Sequence, residues 1–175
     1  MPTYFFTSDE HLGHKNIIEY CNRPFASVDE MDETIIQRHN EVVGKDDVVV
    51  HGGDFTLVAK AKAQKYTSRL QGQHIFLHGS HDNWLDRPFL DIWEKTLDGQ
   101  HIIVCHYAMR VWPRSHHNSW QLYGHSHGKL EPVGKQWDIG VDNNNFYPLS
   151  LEQIKAIMQK RPDNPNLVTA RESNE

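Results

Sequence analysis

The sequence predicts an α/β chain folded as a two-sheet sandwich with outer helices, and three observations carry that reading. Five short runs rich in Val, Ile, Tyr, Phe and Thr have the length and composition of strands: TYFFT, DVVVH, HIFLH, HIIVC and SWQLY. Up to Trp84 these runs alternate with helical patterns, which is how α/β chains are organised. Beyond Trp84, EKTLD, HIIVC, SWQLY and QWDIGVD follow one another with turns between, which implies antiparallel pairing and a second sheet.

The helical patterns cover residues 14–21, 29–43 with Asp29 as N-cap, and 57–70, rich in Ala, Lys and Gln. A last helix is expected to start at Ser150, because Ser150 and Gln153 stand in a capping-box arrangement, and to run to about residue 160. Residues 1–160 are expected to form a single domain, large enough to bury a core. Residues 161–175 carry Pro162, Pro165 and several polar residues without an apolar period, and read as a flexible tail. Two longer loops stand out, 22–27 and 110–118.

Composition narrows the partners. Hydrophobic residues make up 38% and charged residues 23%, so the chain is globular rather than disordered. A net charge of −5 and the lack of a basic face give no strong nucleic-acid-binding signature. Cys21 falls on a helical pattern and Cys105 inside an apolar strand, which is no disulfide framework and fits a reducing compartment. The first strand begins without a basic leader and no apolar stretch is long, so neither a signal peptide nor a membrane span is expected and a cytoplasmic protein is. Nothing in the sequence sets an oligomeric state.

Each strand-like run ends in a His or Asp cluster: Asp9-Glu10-His11, Gly52-Gly53-Asp54, Gly79-Ser80-His81-Asp82, His106, and Gly124-His125-Ser126-His127. Ligands of open α/β sheets gather outside the carboxyl ends of the strands, so five distant segments could reach one sheet edge. An Asp-x-His pair leaving a strand places a carboxylate and an imidazole on one side, since residues i and i+2 share a face in extended chain. One such pair alone reads more readily as a solvated loop Asp beside a structural His. The Asp9-x-His11 and His125-x-His127 pairs together, with Asp54 and His106 also at strand ends, point to metal. Mixed Asp and His ligation suits transition ions rather than Ca²⁺ or Mg²⁺, and the lack of Cys among the candidates argues against a structural zinc site. Two ions about 3.5–4 Å apart form a device for attack at phosphorus, with Asp54 as the natural bridge.

The ordered series resembles the calcineurin-like metallophosphoesterases, whose pattern runs D-x-H, G-D, G-N-H-D/E, H, G-H-x-H, and the likeness covers residues from about 3 to 142. It implies a four-layer sandwich of two mixed β-sheets flanked by helices. It implies further that Asp9, His11, Asp54 and His127 hold one metal ion, and that Asp54, His106, His125 and the residue at position 80 hold a second. The ions would be divalent transition metals, Mn²⁺ first, with Fe, Zn²⁺, Co²⁺ or Ni²⁺ as others. His81 corresponds to the family's active-site histidine outside the metal shell, serving the leaving group or phosphate charge and oriented by Asp82. The pattern has Asn where this chain has Ser80, a shorter and weaker ligand, which implies a more weakly bound second ion.

The activity implied is metal-dependent phosphoester hydrolysis by a metal-activated hydroxide. Small size without a cap domain leaves the site open and favours phosphodiesters, nucleotide-type substrates among them; a phosphomonoesterase is the nearer alternative, and a non-catalytic scaffold with an impaired second site the other. Arg23 could fork onto a phosphate or stand as an exposed turn arginine. Arg110 and Arg114, with Trp112 to stack on a base, could form a substrate-contacting lip or an ordinary polar loop. His14 is expected outside the site, His51 and His78 in a packed layer behind it, and His39, His74 and His101 as surface or structural residues. His81-Asp82 resembles an HD pair, but HD phosphohydrolases are all-helical, and the HxH of amidohydrolases belongs to a barrel of about 250 residues.

Overall fold

A computed structural model describes residues 2–169 of the chain. Its strands are β1 (Tyr4–Thr7), β2 (Val48–His51), β3 (Gln73–Phe76), β4 (Ile92–Leu97), β5 (Gln100–Cys105), β6 (Trp120–Tyr123), β7 (Gln136–Asp138) and β8 (Leu149–Ser150). The helices are α1 (Ile17–Tyr20), α2 (Val28–Val42), α3 (Lys60–Thr67) and α4 (Leu151–Lys160). Two mixed four-stranded sheets result, ordered β3-β2-β1-β8 and β4-β5-β6-β7, and helices flank them as expected.

In the first sheet β1, β2 and β3 run parallel, with Phe6 beside Val50 and Val50 beside Ile75, while β8 is antiparallel to β1. Alternation divides each strand between two packed layers. Phe6 and Val50 point to the interior between the sheets, where they meet Ile102, Val104, Leu122 and Ile139. Phe5 and Val49 point the other way and pack with Val43, just past the end of α2. Burial on both faces explains why these strands are continuous apolar runs. On the outer side Met31, Ile35 and Ile36 of α2 form an apolar stripe that packs with Leu12, Phe55 and Tyr66.

In the second sheet β4 and β5 form the expected antiparallel hairpin, turning on Asp98 and Gly99, both at positive φ as a two-residue turn of this hand requires. The expectation of antiparallel pairing fails for the rest. β5 with β6 and β6 with β7 are parallel, because residues 106–119 and 124–135 are long enough to cross back before the next strand begins.

The cap of α2 is Ser27 and not Asp29: the Ser27 hydroxyl accepts from the Glu30 N–H at 3.1 Å, and Glu30 returns a carboxylate to the Ala26 N–H at 2.7 Å. Asp29 lies inside the first turn. The expected capping box on α4 is present, with Ser150 and Gln153 bonded reciprocally. α1 and α3 are shorter than the patterns suggested.

The expected flexible tail begins as a strap. Asn164 is buried, donating its amide to the Ser115 and Ser119 carbonyls at 3.0 and 2.9 Å and accepting from the Lys135 N–H at 2.7 Å. Arg161 caps the carbonyls of Pro132 and Gly134, and Val168 N–H donates to His116. Polar composition misled here because the strap docks by hydrogen bonds rather than by an apolar face. The remainder of the expected tail, 170–175, lies outside the described residues. Among the described residues no helix is long and apolar enough to cross a membrane.

What positions the site is the joint between the sheets. Beyond β1 the chain continues beside the end of β7 through a parallel bridge from Ser8 to Gly140, and the Ser8 hydroxyl donates to the Gly53 carbonyl at 3.1 Å. The carboxyl ends of parallel strands from both sheets therefore open at one edge.

Candidate metal centre

Loops leaving β1, β2, β5 and β6 bring six of the expected ligands together. Asp9, His11 and His127 form one cluster of ligand atoms, and Asp54, His106 and His125 form another. Asp54 lies between them: its Oδ2 is 3.4 Å from His106 Nε2 and 3.7 Å from His11 Nε2. Asp9 Oδ1 is 3.9 Å from both His11 Nε2 and His127 Nε2. The buried nitrogens His11 Nε2 and His106 Nε2 have no hydrogen-bond partner, a situation that costs roughly 1–3 kcal/mol apiece if nothing else meets them. Imidazole nitrogens converging with carboxylate oxygens suit a divalent metal ion, so the residues fit metal binding.

The ligands converge by a route the alternation argument did not contain. Asp9, His11, Asp54, His125 and His127 all have left-handed backbones, with φ of 60°, 53°, 56°, 64° and 48°. Their side chains meet because the chain turns sharply at each, not because extended residues share a face. Close approach is needed as well: a side chain at Gly124 would collide with Ser8 and Asp9, and one at Gly79 with Asp54.

Neighbouring groups fix the imidazoles. Nδ1 of His106 donates to the Gly52 carbonyl at 3.0 Å and Nδ1 of His127 to Asp142 at 2.7 Å, which leaves Nε2 of each as the free acceptor. The His125 N–H donates to the Asp9 carboxylate at 2.9 Å. Asp142 is a residue that sequence reasoning missed, although it ends the QWDIGVD run.

Arg23 was expected at the substrate, and the structure corrects this. It is 5% exposed, forks onto both Asp142 oxygens at 2.8 and 2.9 Å, and donates to the Glu10 and Asp9 carbonyls at 2.9 and 2.7 Å. The fork matches a carboxylate, and that carboxylate belongs to the protein. Asp82 is corrected too. Its buried carboxylate accepts from the N–H groups of Asp54, Phe55, Thr56 and Gly79 and from the Trp84 indole, and so holds the Asp54 turn rather than the His81 ring.

Burial pushes the Asp9 carboxyl up to about 7 against the opposing pull of His106 and His127. Burial acts in the same direction on Asp54, but the charge of the neighbouring His106, with the His81 N–H, outweighs it and holds that carboxyl below the usual range. Burial lowers His11 to about 3, keeping a neutral imidazole available as a ligand. For His106 and His127 burial is outweighed by their acidic neighbours, and both are raised.

The clusters open on a cavity of about 410 Å³ lined by His11, Asp54, Ser80, His81, His125 and His127, with further residues on its outer walls. Ser80 reaches it, but its hydroxyl is turned onto Asp54 at 3.1 and 3.3 Å. His81 is partly exposed, its N–H donates to Asp54 Oδ1 at 2.9 Å, and its Nε2 lies 3.9 Å from Oδ2. His14, expected outside the site, lines the cavity with its ring 5.5 Å from that of His11. Lys129 and Tyr20 also line it and had no motif to reveal them. The expected lip is not there. Arg110 borders a separate cavity with Val133 and Pro165, Arg114 borders another with His101 and His117, and Trp112 is buried with its indole donating to Ser119. Behind the centre, Glu10, His51 and His74 form a hydrogen-bonded row, and His39 stacks beside His51.

Two mixed sheets with this ordered set of Asp and His turns at their shared edge are the fold and site that the resemblance to the calcineurin-like metallophosphoesterases implies. No protein-family model matches it. An uncharacterized protein of Methanocaldococcus jannaschii is 32% identical over 170 residues, 91% of this chain and 93% of that protein, which makes the two members of one family. Among solved structures, a protein of unknown function from Aquifex aeolicus has a TM-score of 0.67 at 21% identity, covering 90% of this chain and 100% of its own. A predicted phosphoesterase from Streptococcus pneumoniae gives a TM-score of 0.45 at 17% identity, over 79% of this chain and 71% of its own.

Proposed function

We propose that the protein is a phosphoesterase dependent on two divalent transition-metal ions, Mn²⁺ first, and that it cleaves phosphodiester bonds. The observation that carries this is the placement of Asp54 between two clusters of imidazole and carboxylate atoms, with buried unpartnered nitrogens on either side. Asp9, His11 and His127 would hold one ion and His106 and His125 the other, with Asp54 shared and Ser80 beside it. Bound there, the ions would supply Lewis acidity and neutralise charge at phosphorus.

The chain's own residues do the rest. Gly52 and Asp142 hold protons on Nδ1 of His106 and His127, so that both rings present Nε2 to the clustered carboxylate oxygens. Asp82 and Arg23 keep the turns that carry Asp54 and Asp9 from relaxing. His81, partly exposed and facing the same space, is placed to give a proton to the leaving oxygen. The cavity is open to solvent among the described residues, which suits an ester with groups on both sides of phosphorus. A cytoplasmic setting belongs to the same reading, since Cys21 at the cavity is a free thiol.

The second reading, a scaffold with a weakened second ion site, is favoured by one observation, the Ser80 hydroxyl committed to Asp54. Metal analysis with assay of a generic aryl diester in added Mn²⁺ separates the two. Two equivalents of metal and metal-dependent turnover that Asp54→Asn abolishes would support the enzyme. No turnover by either the wild type or Ser80→Asn, with any transition ion, would leave the scaffold.

A further inference from the structure

One wall of the cavity is unlike the rest. α1 ends at Tyr20, which is 64% exposed although it lines the same space as His81 and Ser80. Leu57, 42% exposed, extends the apolar surface and the buried Ile17 backs the same lining, while Lys129 is the one Lys or Arg among the lining residues. Tyr20 connects to the centre through rings. Its ring meets that of His14 edge-on at 6.3 Å, and the His14 ring is 5.5 Å from His11 and 6.2 Å from His81. The exposed ring of Tyr20 is thus linked to the proposed metal ligand His11 and to His81 through the single ring of His14.

We propose that Tyr20, with Ile17 and Leu57, forms a subsite for the planar aromatic group of a nucleotide-type phosphate ester, and that Lys129 meets an anionic oxygen of the same substrate. This rests on the phosphoesterase reading and names its substrate class. An exposed tyrosine presents a large flat face with little conformational freedom to lose, and its hydroxyl can stay in water. Stacking on such a face tolerates any base, and the cation supplies what the apolar wall lacks. Trp112, the aromatic residue that the sequence offered for this role, is buried and bonded to Ser119, so Tyr20 takes its place.

The experiment is equilibrium binding of adenosine 5′-phosphate, ribose 5-phosphate and inorganic phosphate to the Mn²⁺-loaded protein, in wild type, Tyr20→Phe, Tyr20→Ala and Lys129→Ala. Wild type should prefer the adenine compound over the sugar phosphate by roughly 5- to 100-fold, as expected for one stacked base. Tyr20→Phe should keep that preference and Tyr20→Ala should bring it close to one, with inorganic phosphate bound alike by all three. Lys129→Ala should weaken all three ligands together. A wild-type ratio near one, a ratio that survives Tyr20→Ala, or Lys129→Ala binding like wild type overturns the proposal while phosphate binding upholds the parent reading. Failure of wild type to bind inorganic phosphate in the presence of metal overturns both.

Discussion

Replacing Arg23 tests whether the residue serves the fold or the substrate. Arg23→Ala would leave the Asp142 carboxylate buried without its bidentate partner and strip the charged donors from the Asp9 and Glu10 carbonyls. Breaking one side of a buried ion pair is worth ~3–5 kcal/mol, a large share of the ~5–15 kcal/mol that holds a domain together. For a chain of this size that lowers Tm by roughly 6–20 °C. The damage should spread to the ligands, because Asp142 also fixes the His127 ring at 2.7 Å, and loss of such an outer partner weakens metal binding ~10–100-fold. Urea unfolding with metal chelated gives the first quantity, and metal titration the second. Arg23→Lys should recover little, since a single ammonium cannot span two carboxylate oxygens and two carbonyls. The reasoning fails if Arg23→Ala unfolds within about 1 kcal/mol of wild type and instead raises KM for a phosphate ester, the result expected of a substrate arginine.

Three further outcomes are expected. Ser80→Asn should tighten binding of the second metal equivalent or raise turnover, because an amide oxygen can reach an ion while the serine hydroxyl is held by Asp54; unchanged metal titrations and rates would show that the position is tolerant. His81→Ala should cut turnover ~100- to 10,000-fold with two equivalents of metal still bound, as expected for loss of a proton donor; loss of a metal equivalent would make it a ligand, which its 3.9 Å approach to Asp54 Oδ2 allows. Asp82→Asn exchanges an ionised acceptor of five hydrogen bonds for an amide with one oxygen. Thermal unfolding should register a loss of at least ~1.5–3 kcal/mol, the worth of one charged hydrogen bond, and an unchanged melting curve would contradict the structural role given to it.

The parts of the site visible in the sequence are those that a local pattern can carry. Asp9, His11, Asp54, His106, His125 and His127 each sit in a short motif at a strand end, and the structure brings all six together in two neighbouring clusters of ligand atoms. The supporting roles of the residues that hold them were not visible, because their partners are remote in sequence. Arg23 and Asp142 pair across most of the chain, and Asp82 binds a turn that follows a different strand. Tyr20 and Lys129 line the cavity only because α1 and the loop after His127 fold toward it. The same limit applied to the fold. Strands were legible from composition, whereas the parallel order of β5, β6 and β7 depends on what the segments between them do in space.

The left-handed ligands explain why the supporting contacts are so many. A non-glycine residue at positive φ is destabilised on the order of 1–3 kcal/mol, somewhat less for Asp and His, and persists only where the surroundings determine it fully. Each of these turns is tied by at least one backbone hydrogen bond at or beside the ligand. The Asp9 N–H donates to Gly53 and its carbonyl accepts from Arg23, the His11 N–H donates to the Asp54 carbonyl, and the Asp54 N–H is held by Asp82. The His125 N–H is held by Asp9, and Asp138 takes the Gly128 N–H just past His127. Strain of this kind buys ligand atoms already converged in the folded chain, so little reorganisation remains for an arriving ion. Metal affinity should therefore depend on Asp82, Arg23 and Asp138 as well as on the ligands, although none of these three contributes to the clustered ligand atoms.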